Sequence, residues 1–205
     1  GAVCILAFVF LIWQHEIPRD VRLWFAEDLV GKIMARLGNP WIYEDANAHY
    51  NIQQADKAGI LIGVYFFSTA VSEEEAEEEA DWVAEFISQY PITYPVAYDC
   101  EGFDEPDSRQ VHLSKRKRTE IALAFLKAIE KHGYEGMFYG SKNDMTGDTK
   151  WQTSKIEDDY KIWVAQYPHA PYPETESSSY EEKHHMWQYT AEGSVAGISQ
   201  SVDCN

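Results

Sequence analysis

Tyr94-Pro95-Val96-Ala97-Tyr98-Asp99-Cys100-Glu101 is an apolar run opened by a proline and closed by two carboxylates one residue apart. Alternate residues of a strand share a face, so Asp99 and Glu101 are expected to point one way and Cys100 the other. Like charges held that close cannot both ionise freely; one pKa is expected to rise while the other stays low. Glycoside hydrolysis uses such a split, with a protonated acid for the leaving oxygen and an ionised partner for the developing positive charge. Taken alone, Asp-x-Glu is a common tripeptide and reads more readily as two solvated acids at a strand end.

The remainder of the chain supplies a scaffold for that strand. Its 205 residues, 45% hydrophobic and 14% aromatic, suffice for one domain over residues 1–205 with a substantial core. A net charge of -17 and a pI near 4.7 exclude nucleic acid and anionic membranes as partners, because both repel such a surface. Cys4, Cys100 and Cys204 are too few and too scattered for a disulfide scaffold or zinc ribbon; only a closed barrel would bring Cys4 toward Cys204. The apolar run Ala2 to Trp13 is too short to span a bilayer and lacks a signal peptide's basic flank. Being apolar on both faces, it suits a strand of a parallel sheet covered by helices.

Strands and helices then alternate. After a loop from Trp13 to Pro18, Asp20 to Val30 has helical spacing, Lys32 to Leu37 reads as a short strand, and Ala46 to Ala58 as a helix stopped by Gly59. Ile60 to Phe67 is a strand. Ser72 and Glu75 have capping-box spacing, so a helix starts there, with Ala76, Ala80, Val83, Ile87 and Tyr90 inward and the acidic run Glu73 to Glu79 largely in water. Another helix runs from about Ser114 to His132, its Lys115-Arg116-Lys117-Arg118 forming a solvated first turn. Gly136 to Ser141, Lys161 to Gln166, Met186 to Thr190 and Ser201 to Cys204 complete the strands.

This order predicts an α/β fold: eight strands with about five helices is the count for a closed TIM-like barrel incomplete on its helical side, with its site at the C-terminal strand ends. Asp99 and Glu101 fall at such an end. Tyr65, Tyr139, Trp163, Tyr167, Trp187 and Tyr189 lie in or just after strands; each alone reads as core, but as a set they suit a sugar cleft. Pyranose faces stack on aromatic rings, and an amide such as Gln166 binds hydroxyls. The loop from Pro168 to Lys183 would border the mouth.

Several motifs in fixed order resemble the glycoside hydrolase family 25 lysozymes, N-acetylmuramidases of the Chalaropsis type. They are Ala58-Gly59-Ile60, Gly63-Val64-Tyr65-Phe66-Phe67-Ser68, Pro95 to Glu101, Phe138-Tyr139-Gly140-Ser141 and Ile162-Trp163-Val164-Ala165-Gln166-Tyr167. The closing segment matches best, through Met186-Trp187-Gln188-Tyr189-Thr190, Gly193 to Ile198 and Val202-Asp203-Cys204-Asn205. The resemblance covers residues 33 to 205. It implies a modified TIM-like barrel of about five β/α units followed by three further strands, and cleavage of the β-1,4 bond between N-acetylmuramic acid and N-acetylglucosamine, with Glu101 as general acid, Asp99 as partner carboxylate and Asp203 lining the same pocket. The expected partners are peptidoglycan glycan strands, met by a monomer with no cofactor or metal, and that substrate implies secretion to a cell wall or delivery there by phage.

The N-terminus departs from the pattern. Trp13-Gln14 with Glu16-Ile17 faintly resembles the family's first loop, and that register puts Val9 where a first-strand carboxylate is expected; no Asp or Glu precedes Glu16. Either the first strand has diverged and the site lost a carboxylate, or the recorded residues there are not the true ones. A second reading is therefore a catalytically impaired sugar-binding barrel. A metal-dependent hydrolase is a weaker third, since His184-His185 and His112 lack acidic ligands at metal-binding spacing. Peptide masses over residues 1 to 32 decide the first point: agreement with the written sequence establishes divergence, and a mismatch establishes an error in it.

Overall fold

The computed structural model describes residues 47–194 and 201–205, the single positions 42, 44 and 45, and the strand at 5–9. The expected loop at 13–18, helix at 20–30, strand at 32–37 and Cys4 lie outside the described residues. Eight strands and five helices are described, in the order β1 (Ile5–Val9), α1 (Ala48–Lys57), β2 (Ile62–Phe67), α2 (Glu73–Ile87), β3 (Val96–Asp99), α3 (Lys115–Lys131), β4 (Gly136–Ser141), α4 (Lys142–Met145), α5 (Thr153–Ile156), β5 (Lys161–Ala165), β6 (Met186–Gln188), β7 (Thr190–Gly193) and β8 (Val202–Cys204). Strands β2 to β6 pair in parallel in sequence order and curl into a half-barrel with helices between them, a modified TIM-like α/β fold.

Two expectations about strand direction are corrected. Strand β1 runs antiparallel to β2, with Ile5 opposite Phe66 and Val9 opposite Ile62. An apolar run serves either direction equally, because hydrophobicity carries no polarity along the chain. The expected strand Met186 to Thr190 splits in two: the Tyr189 N–H bonds to the Cys204 carbonyl at 2.9 Å, and β7 turns away to pair antiparallel with β8. The described strands thus form a six-stranded sheet and a separate two-stranded ribbon rather than a closed ring. Among the described residues Cys204 has no disulfide partner.

Local chemistry sets the helix limits. Ser72 caps α2 by accepting the Glu75 N–H at 3.2 Å, and Ser114 caps α3 by accepting the Lys117 N–H at 3.2 Å. The Glu75 carboxylate reaches back one residue further than a capping box requires, accepting the Val71 N–H at 3.0 Å. Helix α3 stops where Gly133 takes φ +86°, which a side chain resists. The main core lies between the sheet and these helices. Phe125 of α3 packs on Phe66 and Tyr98, with ring centroids 5.8 and 5.2 Å apart, and Trp151 meets Phe138 edge-on at 4.9 Å. Burying each such ring stabilises the fold by roughly 1.5–3 kcal/mol.

Charge placement differs from expectation at two residues. Arg118 is buried rather than solvated: its guanidinium lies 3.8 Å over the Phe103 ring and donates to the Lys150 and Leu113 carbonyls at 2.9 and 3.2 Å. Glu79, only 2% exposed, sits on the buried side of α2, where it accepts from the Ser68 hydroxyl at 2.6 Å and the Thr69 N–H at 3.3 Å. It lies one turn from Ala76 and Val83, so helical spacing alone places it inward; its charge masked that position. Ser68 also donates its N–H to the Asp99 carbonyl at 2.7 Å, so Glu79 braces the loop beside the dyad.

Burial pushes Glu79 up to about 7, against the pull of the Ser68 and Thr69 hydrogen bonds. Below its ordinary value of 4.5 the proton is held in folded and unfolded chains alike; above it, only the folded chain retains the proton until about 7. Stability from this group is therefore complete at acid pH and lost as pH rises through about 7. Urea unfolding midpoints should fall between about pH 5 and about pH 8, and Glu79→Gln should flatten that fall by up to about 3 kcal/mol.

Candidate active site

Alternation along β3 sends Val96, Tyr98 and Cys100 into the helical core and Ala97 and Asp99 to the concave face. Cys100 sits in the core as expected, donating its thiol to Gln110 Oε1 at 3.0 Å, while Gln110 donates to the Ala70 carbonyl at 2.7 Å. These bonds tie the segment after β3 to the loop after β2. Ala97, Met137, Tyr139, Trp163 and Ala165 pack together on the concave face, with Tyr65 and Met186 against them. A small apolar hollow bordered by Gly63, Pro95, Ala97, Met137, Trp163 and Met186 lies toward the N-terminal strand ends, away from the carboxylates.

Above this floor three carboxylates converge, Asp99 at the end of β3, Glu101 just past it and Asp203 from β8. Asp99, the last residue of β3, is 8% exposed, and its Oδ1 is buried without a hydrogen-bond partner among the described residues. Burial, then the Glu101 charge, then that of Asp203 push its pKa well above the usual carboxylate value. Glu101 belongs to an exposed loop just past β3, yet its carboxyl is turned into the cluster, where desolvation raises its pKa. Contact with the Tyr139 hydroxyl opposes that rise, and Asp144 and Asp203 add to it. Gly102 follows at φ +63°, letting the chain turn directly after the acid. Asp203, on β8, is also raised by desolvation, against a hydrogen bond from Gln188.

The expected division into one raised and one low carboxyl is thus corrected: all three are raised, and Asp99 is raised well above its ordinary value. Among the described residues its neighbours are like charges and its Oδ1 has no donor, so desolvation raises it without an opposing contact there.

The aromatic and amide residues separate into two groups. Tyr65, Tyr139 and Trp163 share the concave face; Tyr139 and Trp163 stack edge-on at 4.6 Å, and the Trp163 indole N–H donates to Asn205 Oδ1 at 2.8 Å. Tyr167 is half exposed at the mouth. Trp187 instead faces the helical side of β6, packs against the main core and donates to the Gln166 carbonyl at 2.7 Å. Gln166 Oε1 accepts from the Ser178 hydroxyl at 3.3 Å and the Ser179 N–H at 3.1 Å, so this amide anchors the loop expected at the mouth. Of the histidines, His185 Nδ1 accepts the Ile162 N–H at 3.2 Å and His184 stacks on Tyr180 at 5.7 Å.

Sequence reading passed over two residues here. Asp144, held by Ser141 at 2.7 Å, presents its charge to Glu101. Gln188, 3% exposed, accepts the Tyr139 and Tyr167 hydroxyls at 2.8 and 2.7 Å and donates to Asp203. Its place one residue after Trp187 was the available signal: alternation gives the two opposite faces. Val9, whose register suggested a first-strand carboxylate, pairs with Ile62 at the N-terminal end of β2, the far end from Asp99.

Solved structures of cell-wall hydrolases share this fold. The modular autolysin LytC from Streptococcus pneumoniae superposes with TM-score 0.63 at 25% identity over 78% of this chain and 37% of that one. LytC in complex with a synthetic peptidoglycan ligand gives 0.61 with the same identity and coverage. The bacterial lysozyme from Streptomyces coelicolor gives 0.59 at 20% identity over 78% and 73% of the two chains, a likeness of fold. The chain thus spans 37% of the length of the autolysin. A search of curated proteins finds no match. Residues 18–198 match the model for glycosyl hydrolases family 25, and the chain belongs to that family.

The raised Asp99 has a measurable consequence. Because its folded pKa exceeds the ordinary 3.8, the proton it retains stabilises the fold below that value, and this contribution is lost as pH rises through the folded pKa. Asp99→Asn should weaken the dependence of the urea midpoint on pH and leave the protein at least as stable as wild type near pH 7. A midpoint lowered at neutral pH would show that ionised Asp99 is held by a donor.

Proposed function

We propose that this chain hydrolyses peptidoglycan as an N-acetylmuramidase, cleaving the β-1,4 bond between N-acetylmuramic acid and N-acetylglucosamine. The observation that carries the reading is the convergence of Asp99, Glu101 and Asp203 above an aromatic floor, in a family 25 chain. The neighbouring autolysin solved with a peptidoglycan ligand supports the substrate class. Tyr65, Tyr139 and Tyr167 are the aromatic groups placed to meet a sugar; Gln166 and Trp187 would act by shaping the rim. The acidic chain favours a glycan over a polyanion, and its place of action is a cell wall, reached by secretion or phage delivery. It would work as a monomer.

In the mechanism, protonated Glu101 gives its proton to the glycosidic oxygen as the bond to the anomeric carbon breaks. Positive charge then spreads over that carbon and the ring oxygen. Asp99 meets it as the ionised partner, its proton already lost to solvent in the reactive form, and the developing cation favours the negative charge that its like-charged neighbours oppose. It would stabilise the charge directly, orient the substrate's acetamido oxygen as internal nucleophile, or activate water. Water adds to the anomeric carbon, and its proton restores Glu101. Activity should fall as pH rises through the elevated pKa of Glu101, with the three acids titrating as one coupled set.

Release of reducing ends from purified peptidoglycan tests the reading. Wild type should liberate ends terminating in N-acetylmuramic acid, and Glu101→Gln should lower the rate by about 100-fold or more while binding persists. Binding without release by wild type would replace the hydrolase with a sugar-binding barrel. Activity undiminished by Glu101→Gln would remove Glu101 from the acid role.

A further inference from the structure

Tyr167 stands at the mouth with 53% of its surface exposed, and a side chain so open ordinarily turns freely among its rotamers. Here both of its ends are held. The backbone just before it is tied to β6 twice: the Gln166 N–H donates to the Gln188 carbonyl at 3.1 Å, and the Trp187 indole N–H donates to the Gln166 carbonyl at 2.7 Å. At the tip, the Tyr167 hydroxyl donates to Gln188 Oε1 at 2.7 Å. That oxygen is a fixed point. Gln188 ends β6 opposite Ala165 and is 3% exposed. Its Oε1 also accepts the Tyr139 hydroxyl at 2.8 Å, and the Tyr139 ring is packed edge-on against Trp163 at 4.6 Å in the floor.

Resting on the hydrolase reading above, we propose that Gln188 is a positioning residue for substrate binding: its amide oxygen tethers the Tyr167 ring and presets it as a wall on which a pyranose of the glycan stacks. The apolar face of a sugar meets an aromatic ring over a broad, flat contact, which a freely turning ring must first be ordered to make. Ordering one such side chain on binding weakens affinity by about 3- to 10-fold. The tether does this ordering when the chain folds, before any glycan arrives. Because the two phenols share one oxygen, the Tyr167 wall is also held in register with the Tyr139 floor.

Tyr167→Phe keeps the stacking face and cuts the tether at one end; Gln188→Met cuts it at the other at similar volume. Glu101→Gln serves as the background, so that nothing is hydrolysed while calorimetry follows binding of a soluble glycan of two N-acetylglucosamine–N-acetylmuramic acid repeats. Added to that background, each substitution should weaken binding by about 3- to 10-fold, and the two together by no more than either alone. In ligand-free protein, 13C relaxation of the Tyr167 ring should show it ordered in wild type and in Gln188→Glu, which keeps an acceptor in either protonation state, and mobile in Gln188→Met. A ring as ordered in Gln188→Met as in wild type overturns the proposal. So do losses that add, which would place the Tyr167 hydroxyl on the sugar itself. If Gln188→Met does not fold, Tyr167→Phe carries the test, and affinity equal to the background overturns the tether. The two readings fail separately. Binding losses as described, beside a wild type that releases no reducing ends, refute the hydrolase and leave the tether; release by wild type with unimpaired binding in both variants refutes the tether alone.

Discussion

The site depends on one electrostatic constraint: Asp99 is held out of water at a strand end, and the charges acting on it are those of two further carboxylates. Such an arrangement costs folding free energy, so the rest of the molecule must hold it in place. The parallel sheet does so from below, through the packing of Phe125, Phe66 and Tyr98 against α3. The loop after β2 does so from the side, through Ser68, Glu79, Gln110 and Arg109, whose guanidinium donates to the Thr69 carbonyl at 3.0 Å. A carboxyl cluster that resists ionisation would ionise more readily beside positive charge.

Polar groups around the cluster are arranged by proton counting. Asp203 needs a donor and receives one from Gln188; two phenols need an acceptor and share its oxygen. The ribbon of β7 and β8 brings Asp203 within reach, and the Trp163 bond to Asn205 pins that segment to the sheet. Each of these bonds joins residues far apart in the chain.

Much of this organisation was legible in residue order. Glu75 three places after Ser72, Gly133 after an amphipathic run, and the alternation from Val96 to Glu101 each carry their own short-range physics. The strand at 136–141 and the helix after Ser114 emerge with the expected limits for that reason. Expectations failed where a pattern was ambiguous by nature. Apolar runs do not encode direction, which left β1 open; charge suggested water for Glu79 and Arg118, although helical spacing placed Glu79 inward and aromatic rings covered Arg118.

By itself the sequence determined the alternating strand and helix order, the dyad at the end of β3 and the opposite facing of Cys100. All of these follow from interactions within a few residues. The resemblance of the closing segment had already put Asp203 in the pocket; only the tertiary structure decided that Asp144 faces Glu101, that Asp99, Glu101 and Asp203 are raised together, and that Trp187 turns outward while Gln188 turns in. Those outcomes rest on desolvation and on hydrogen bonds spanning tens of residues, which depend on how the sheet curls and not on the order of the chain.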